Sequence, residues 1–499
     1  MEEIMIGREM NPKEMIPEEE NQEGAKIFGK LAGASLLYAL VYTGCLFENV
    51  MGLASVLWVA SSVWYVRFVF RMFGEKERRD NGIVLGMIVL LGISTVLTGN
   101  EWIGWMNDLI IFVLLVGILL HNFAQDTGWN FGKYLAEIVA AVCGAVCFIG
   151  KPFADGGAFY RSKKTRESHA GWYVLIGICA AVPCLMVLVL LLMSADMVFA
   201  DLLVRFAGVF RFPVKLLRIL LMLVFGFLSS YCGVRYVQKH AADIKPSAGK
   251  TAEPLIAIAF TAPIAVLYLL FSAIQIVYLF IGNMQLPAGV TYAEYARRGF
   301  FQLLFVCVLN LAAVLSIQSY FKENRVLKAL LLAISGCTLI MTASSACRML
   351  LYIRAYQLTF LRVVALAVIA LLMAGVIAKI VKPQFPLFRY GFVLAGAVYL
   401  VFAFSHVDYF IAAYNLTHTS WEASGEETVD YSYLYTLSTD AAPAIEKYAG
   451  KSGAADYRKQ GWYQLYCEAN EEALNETGLR TYNVSHAVAK QLLMEDNRE

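Results

Sequence analysis

Charge is what this chain has least of. Only 16% of its 499 residues are Asp, Glu, Lys or Arg, against 59% apolar. A soluble domain would carry about a quarter charged residues, so a purely soluble fold is excluded. Histidine is also scarce. The six (His121, His169, His240, His406, His418, His486) are scattered, and none meets a second His or Cys at ligand spacing. There is no G-x-S-x-G, P-loop or H-E-x-x-H. No metal and no cofactor is therefore expected, and no catalytic residue is assigned. An Asp196–Glu294 acid–base pair is the one enzymatic arrangement left, and nothing in the sequence requires it. Nine of the ten cysteines lie in or beside apolar stretches, and Cys467 stands alone in a polar tail that cannot close an internal disulfide. Cys143 and Cys147 are i,i+4 but have no His or carboxylate beside them at ligand spacing, which reads as packing. The first 26 residues are polar and acidic and hold no apolar signal core, so no cleavable signal peptide is expected and the first membrane helix acts as anchor. The basic residues form no continuous patch, which argues against nucleic acid.

What the chain has is apolar length. Twelve apolar blocks lie at roughly 28–46, 50–66, 83–98, 103–121, 135–150, 172–193, 215–236, 255–281, 299–320, 328–347, 361–381 and 388–405. Most approach the twenty residues that an α-helix needs to cross a bilayer. The expected class is an all-α polytopic integral membrane protein whose partner is the lipid bilayer. Four regions are expected: a polar N-terminal tail (1–27), N-terminal membrane helices (28–170), a core membrane domain (171–405) and an acidic soluble C-terminal region (406–499). The last holds 15 acidic and 7 basic residues.

Basic residues in short loops set orientation. Residues 67–79 and 151–166 each hold five, so both should be cytoplasmic, yet three apolar blocks separate them. One block then does not cross. The weakest is 135–150, which is short and carries Glu137; read as re-entrant or interfacial, it leaves about eleven spans. With 151–166 inside, one face of the second half collects 15 Lys and Arg against 9 on the other. The expectation is a cell-membrane protein with a cytoplasmic N-terminus and an extracytoplasmic C-terminal region. That region reads as mostly helical over Tyr431–Tyr435, Ala441–Tyr448, Ala455–Ala473 and Val484–Leu493, broken at Gly450, Gly453 and Gly478. Asn415, Asn475 and Asn483 stand in N-x-S/T sequons.

Three polar motifs fall on one expected face. In TYAEYARRGFFQLL, Thr291 and Glu294 fit a capping box, with Val290 and Tyr295 at the staple positions. A helix is expected to start at Tyr292 and run into the membrane near Phe300. Glu294 and Arg298 are paired i,i+4, and Tyr292, Tyr295 and Phe300 suit an interfacial belt. Arg297 and Arg298 lie on the face that basic residues avoid. Ser194-Ala195-Asp196 leads into an amphipathic stretch, MVFADLLVRF, for which Ser194 or Asp196 is a natural N-cap. RMLLYIRAYQLTFLR sets Arg348, Arg354 and Arg362 around Tyr352 and Tyr356. Asp196, Tyr292, Glu294, Tyr295, Arg297, Arg298, Arg348, Arg354, Tyr356 and Arg362 are the candidate ligand- or lipid-binding residues. An anionic lipid, an anionic small ligand or internal pairing would each satisfy the arginines. Inside the blocks, Asp108, Gln275, Asn310, Ser344 and Ser345 are polar, and Pro183 and Pro263 are sites for kinks.

SADMVF, TYAEYARRGFF and YIRAYQLTFLR resemble the signature segments of a bacterial multi-pass membrane family, a domain of unknown function of the four-one-five-three / four-one-seven-three type. The similarity runs from about Gly171 through the tail. There, Tyr414, Asn415, Asp430, Tyr431, Leu434, Asp440, Ala441 and Pro443 match a pattern of the form Y-N … G … D-Y-L … L-S-x-D-A-x-P. Met197 replaces a usual proline, and Gln357 replaces a usual glycine where a tight turn would lie. The resemblance implies the residues that matter and no chemistry. Two non-enzymatic functions fit: a transporter-like or small-ligand/lipid-binding protein with its site at the interfacial cluster, or a membrane sensor or scaffold whose tail binds an envelope partner. In the second, the acidic tail would dock on Arg297, Arg298, Arg348, Arg354 and Arg362. A membrane-embedded enzyme is the third alternative.

Overall fold

The computed structural model describes residues 12–49, 51–126, 128–163, 191–209, 214–241, 250–277, 299–382, 387–418, 420–421, 427–449, 457–475 and 478–495, with single positions at 181, 185, 188, 189 and 244. Nearly all of them are helical. In chain order the membrane-type helices are α1 (Pro12–Leu46), α2 (Leu53–Phe73), α3 (Asn81–Leu97), α4 (Glu101–Phe123), α5 (Phe131–Cys147), α6 (Lys151–Lys163), α7 (Met197–Val209), α8 (Val214–Ala241), α9 (Pro254–Gln275), α10 (Phe300–Tyr320), α11 (Arg325–Tyr356), α12 (Phe360–Val381) and α13 (Leu387–Phe404). The C-terminal region adds α14 (Val407–Thr417), α15 (Tyr431–Leu434), α16 (Ala442–Tyr448), α17 (Gly461–Ala469), α18 (Glu471–Asn475) and α19 (Val484–Lys490), plus one ladder of two residues per strand, Ser420–Trp421 with Glu427–Thr428. Helix starts follow from local chemistry. Asn100, Asn130 and Asn324 cap α4, α5 and α11 by accepting from Ile103, Lys133 and Val326 N–H.

Among the described residues, eight helices are long and apolar enough to cross a membrane, or ten if two bent pairs each count as one span. The expected count of about eleven therefore stands at eight to ten here, and most of the block at 172–193 falls outside the described residues. One bent pair is α5 with α6, at 56°. This corrects the reading of 151–166 as a basic loop: residues 151–163 are helix. The segment folds because Asp155, buried on α6, meets the buried guanidinium of Arg235 on α8 at 3.1 Å and accepts from the Tyr231 hydroxyl at 2.8 Å. Gly24 and Gly156 let α1 and α6 close up: a Cβ at Gly24 would overlap the Asp155 carboxylate, and one at Gly156 would lie 2.9 Å from the Phe28 ring.

The helices form two bundles. In the first, α1 packs on α2, α6 and α8, and α4 and α5 close the other side of α8. In the second, α11 is the axis, touching α9, α10 and α12. Helix α13 lies between them, against α3 on one side and α12 on the other. Gly396 allows that approach, since a Cβ there would stand 2.8 Å from Met87 Sδ. The Tyr399 hydroxyl donates to Asn107 Oδ1 of α4 (2.9 Å), whose amide reaches Ser94 Oγ of α3 (2.8 Å). These bonds give polar groups inside an apolar body the partners that lipid cannot supply.

After Phe404 the chain turns by 62° into α14. His406 makes the corner in a left-handed conformation, φ 47° and ψ 60°. The rest folds into a compact cap. Ile411, Leu434, Ala441, Ile445, Tyr466 and Ala489 are fully or almost fully buried together, and Ile103 of α4 belongs to the same core. The cap also completes the first bundle. The first N–H groups of α2 have no partner within that helix; those of Leu53 and Ala54 donate to the carbonyls of Tyr482 (2.9 Å) and Arg480 (3.1 Å).

Close approach at Gly99 makes this docking testable. A Cβ there would overlap Thr439 Oγ1 and lie 2.8 Å from Ser485 Oγ. Gly99→Ala is expected to loosen the cap by about 1–3 kcal/mol, the usual range for overpacking. Limited proteolysis of the detergent-solubilised protein should then cut within 430–490 faster than in wild type. Unchanged cleavage would show that the contact is not tight.

Candidate functional site

The buried stripe of α11 runs Leu327, Leu331, Ile334, Ser335, Thr338, Met341, Thr342, Ser345, Arg348 and Met349. Small hydroxyl residues in a stripe let neighbouring helices come close. Ser335, Thr338, Thr342 and Ser345 each donate to the carbonyl four residues back, at 2.7–3.0 Å. Their donors are spent locally, and their oxygens remain acceptors. Across the bundle, the Asn310 amide of α10 donates to Thr338 Oγ1 (3.1 Å) and Asn310 Oδ1 accepts from the Tyr268 hydroxyl of α9 (2.8 Å). Nearer the cap, Gln275 Oε1 of α9 accepts from Ser344 Oγ at 2.7 Å and Arg348 Nη2 at 3.5 Å. The polar positions Gln275, Asn310, Ser344 and Ser345 thus meet in one seam, headed by Arg348. Thr338 to Arg348 covers about 15 Å of helix. Asp108 lies apart, on α4 beside Asn107.

Arg348 is 8% exposed. A cation that deep needs a polar or anionic partner. Gly299, with φ 86°, lies beside it: a Cβ there would be in ordinary van der Waals contact, 3.5 Å from Arg348 Nη1. That left-handed Gly299 also corrects the expected continuation of a helix into Phe300, while the expected start at Tyr292 lies outside the described residues. The membrane helix begins at Phe300, behind a break that only a residue without a Cβ makes at little strain.

The other expected site residues separate. Asp196 is exposed and caps α7, accepting from Val198 N–H at 2.8 Å. Tyr292, Glu294, Tyr295, Arg297 and Arg298 lie outside the described residues. Arg354 is exposed on the last turn of α11. Tyr356 packs against Tyr352 with ring centres 5.3 Å apart. Arg362 donates to the Tyr356 carbonyl (2.6 Å) and to the Gln357 carbonyl, with its guanidinium carbon 4.2 Å from the centre of the Tyr352 ring. Its work is to satisfy the carbonyls that the end of α11 leaves open.

Among the described residues, the acidic tail docks on 44–54, 95–100 and 357–360. Asp440 accepts from Thr98 Oγ1 (2.6 Å) and Gly99 N–H (2.9 Å), and Asp408 from the Asn100 amide (2.9 Å) and Ser438 Oγ (2.6 Å). Asn483 donates to the Thr95 and Thr98 carbonyls at 3.1 and 2.8 Å. On the other bundle, Gln357 takes φ 63°, the conformation glycine would hold most easily. Its side chain offsets the strain by donating to the Asn415 and His418 carbonyls (3.2 and 2.8 Å) and accepting from Asp430 N–H (3.0 Å). Asn415 pairs both ways with the Leu358 backbone, at 2.8 and 2.9 Å. Sequence reasoning missed residues 98–100 altogether. The signals that pointed toward this interface were the glycine-to-glutamine departure at 357 and the matched tail residues Asn415, Asp430 and Asp440. Asn415 and Asn483 are 1% and 2% exposed, so neither sequon can carry a glycan in this fold.

Two further ionic clusters fix the other ends of the helices. Asp126, between α4 and α5, takes Arg78 (2.7 Å), His121 and Tyr134. Burial raises its carboxyl, but those three hydrogen bonds outweigh it and hold the group well below the carboxylate range. Its acceptor positions are occupied in closing the loop. Arg235 with Asp155 does the same for α6 and α8. Among the described residues no group of three or more His, Cys, Asp or Glu could hold a metal ion.

A family model described as a domain of unknown function (DUF4153) matches residues 85–448. The match starts well before Gly171, where the sequence similarity was expected to begin, and takes in α3–α6 as well as the docking residues Thr98, Gly99 and Asn100. No curated protein and no solved structure matches the chain.

The corner at His406 generates a pH dependence. Its ring nitrogen is 3.2 Å from Asp440 Oδ1. The hydrogen bond to Asp440 raises the His406 pKa above its ordinary value. Burial pushes the Asp440 carboxyl up, but hydrogen bonds with His406, Ser485, Thr98 and Gly99 bring it below its ordinary value. A raised histidine stabilises fully below about pH 6.5 and stops doing so as pH rises through its folded pKa; a lowered carboxylate stabilises above about pH 4 and fails as pH falls through its own. Cap stability should therefore be greatest between those limits. The thermal stability of wild type is expected to fall from about pH 6.5 upward, whereas that of His406→Asn, which keeps the left-handed corner, should be flat there. Parallel profiles would refute the pairing.

Proposed function

The chain belongs to the DUF4153 family, and on that premise we propose that it is a non-enzymatic, transporter-like membrane protein that binds a small polar or anionic ligand in the α9–α10–α11 seam. The supporting observation is the burial of Arg348 at the head of a run of side-chain oxygens reaching the middle of α10 and α11. Transporter sites are formed at membrane depth by converging polar groups between helices. An arginine fork at the mouth suits carboxylate or phosphate. In this reading the N-terminus is cytoplasmic, and the cap and mouth face outward.

A sensor reading draws on a different observation. The cap binds the first bundle through residues 98–100 and the second through Gln357. A partner that altered the cap would change how the bundles sit together. The two readings are compatible, because transport by a two-bundle body needs such a shift.

Thiol accessibility tests the seam. In a cysteine-free background, Ser344→Cys and Thr338→Cys are expected to react with a small, charged, membrane-impermeant thiosulfonate. Leu332→Cys, on the exposed face of α11, is expected to stay unreacted in a bilayer. Protection of Ser344→Cys by an added anion would identify the ligand class. If neither seam position reacts from either side of a proteoliposome, the seam is packing and the proposal fails.

A further inference from the structure

Between the residue Leu358 just past α11, the face of α14 and the end of α16, a cavity of about 390 Å³ opens, lined by Leu358, Phe410, Ala413, Tyr414, Thr417 and Tyr448. That volume is within the range of small-molecule sites, roughly 300–1,000 Å³. Its walls are apolar and aromatic. Its level in the protein follows from the helices around it. The apolar run of α12 begins at Phe360, two residues after Leu358, and Leu361 is 75% exposed beside it. The apolar run of α13 ends at Phe404, and α14 leaves it at 62°. The cavity therefore sits at the edge of the hydrocarbon layer, beside an amphipathic helix that exposes Phe410 by 59%. A cation stands over one wall: Lys447 is exposed, and its ammonium lies 5.1 Å from the centre of the Tyr448 ring.

We infer that this cavity is a lipid site, holding an acyl chain of an anionic phospholipid with the headgroup phosphate at Lys447. The bilayer supplies the chain at this depth, and Phe410, Tyr414 and Tyr448 offer it an apolar, aromatic lining. The lysine gives the headgroup its sign, as basic residues do near anionic membrane surfaces. Arg354, exposed on the last turn of α11, is a second cation at the same level. The site is separate from the seam and stands or falls independently of transport.

The full-length protein, reconstituted in phosphatidylcholine nanodiscs, tests this with a phosphatidylglycerol that carries a photoactivatable acyl chain. A phosphatidylcholine probe of the same chain runs in parallel. After irradiation, mass spectrometry should find the label concentrated on Leu358 and on the 410–417 peptide. Thr417→Trp, at an exposed position that fills the cavity, should remove most of it. Lys447→Glu should lower phosphatidylglycerol labelling by about fivefold, the effect of one basic residue near an anionic surface, and leave phosphatidylcholine labelling unchanged. Label spread evenly over exposed apolar residues such as Leu361 and Val401, or unaffected by Thr417→Trp, would overturn the site. Equal labelling by both lipids, insensitive to Lys447→Glu, would overturn its anionic character.

Discussion

The Asp440 carboxylate accepts from Thr98 Oγ1 and the Gly99 N–H in the short connection between α3 and α4. That pair of bonds ties the cap to the connection on which the first bundle turns. A carboxylate buried at a helix N-terminus is favoured by the orphan N–H groups and by the positive end of the helix dipole. Here it is also too deep to be left unpaired without a large penalty. The geometry is therefore restrictive. Gly99 must lack a side chain, Asn100 must turn its amide to Asp408 while capping α4, and Asn483 must cover the Thr95 and Thr98 carbonyls. Two acids, Asp440 and Asp408, thus order a connection, a helix start and the cap at once.

The second bundle satisfies its polar groups differently. The hydroxyls of α11 bond back within their own helix, so they need no neighbour to be tolerated in lipid. This frees them to face other helices without tying them down. Across the seam, Asn310 binds Tyr268 and Thr338, and Gln275 binds Ser344 and Arg348. The first bundle is held by a buried ion pair, Arg235 with Asp155, which resists separation because breaking it strands a charge. A body with one tightly cross-linked bundle, one seam of self-satisfied hydroxyls and a cap touching both has its least constrained interior along α11.

Much of the helix layout could be read from the sequence because apolar blocks of span length have few other uses. The failures have specific causes. Residues 151–163 looked like a loop because Lys151, Arg161 and Lys163 were counted as topogenic charge; the partner that makes them helical, Arg235 against Asp155, is 80 residues away. The docking of the tail could not be derived from its net acidity. Its two decisive acids, Asp408 and Asp440, meet neutral donors more than 300 residues earlier, and the bonds are set by position rather than charge. Arg362 looked like part of an anion site because a single arginine near the membrane edge fits that role as well as it fits a helix end. Only the Tyr356 and Gln357 carbonyls decide between them.

The tail pattern that carried the family resemblance can now be given a physical meaning. Asn415 pairs with the Leu358 backbone, and Asp430 caps α15 while its N–H meets Gln357. Leu434 and Ala441 are fully buried in the cap core, and Asp440 makes the contact to Thr98 and Gly99. Three of these are spent on docking and two on the core of the cap that docks. A sequence pattern maintained for docking says that the cap must sit on both bundles, and it leaves the chemistry to residues elsewhere. Of the expected interfacial residues among those described, Asp196 and Arg362 are likewise used by helix ends, whereas Arg348 is buried against Gln275 of α9. The functional question therefore narrows to the ground between Arg348, Gln275 and Ser344.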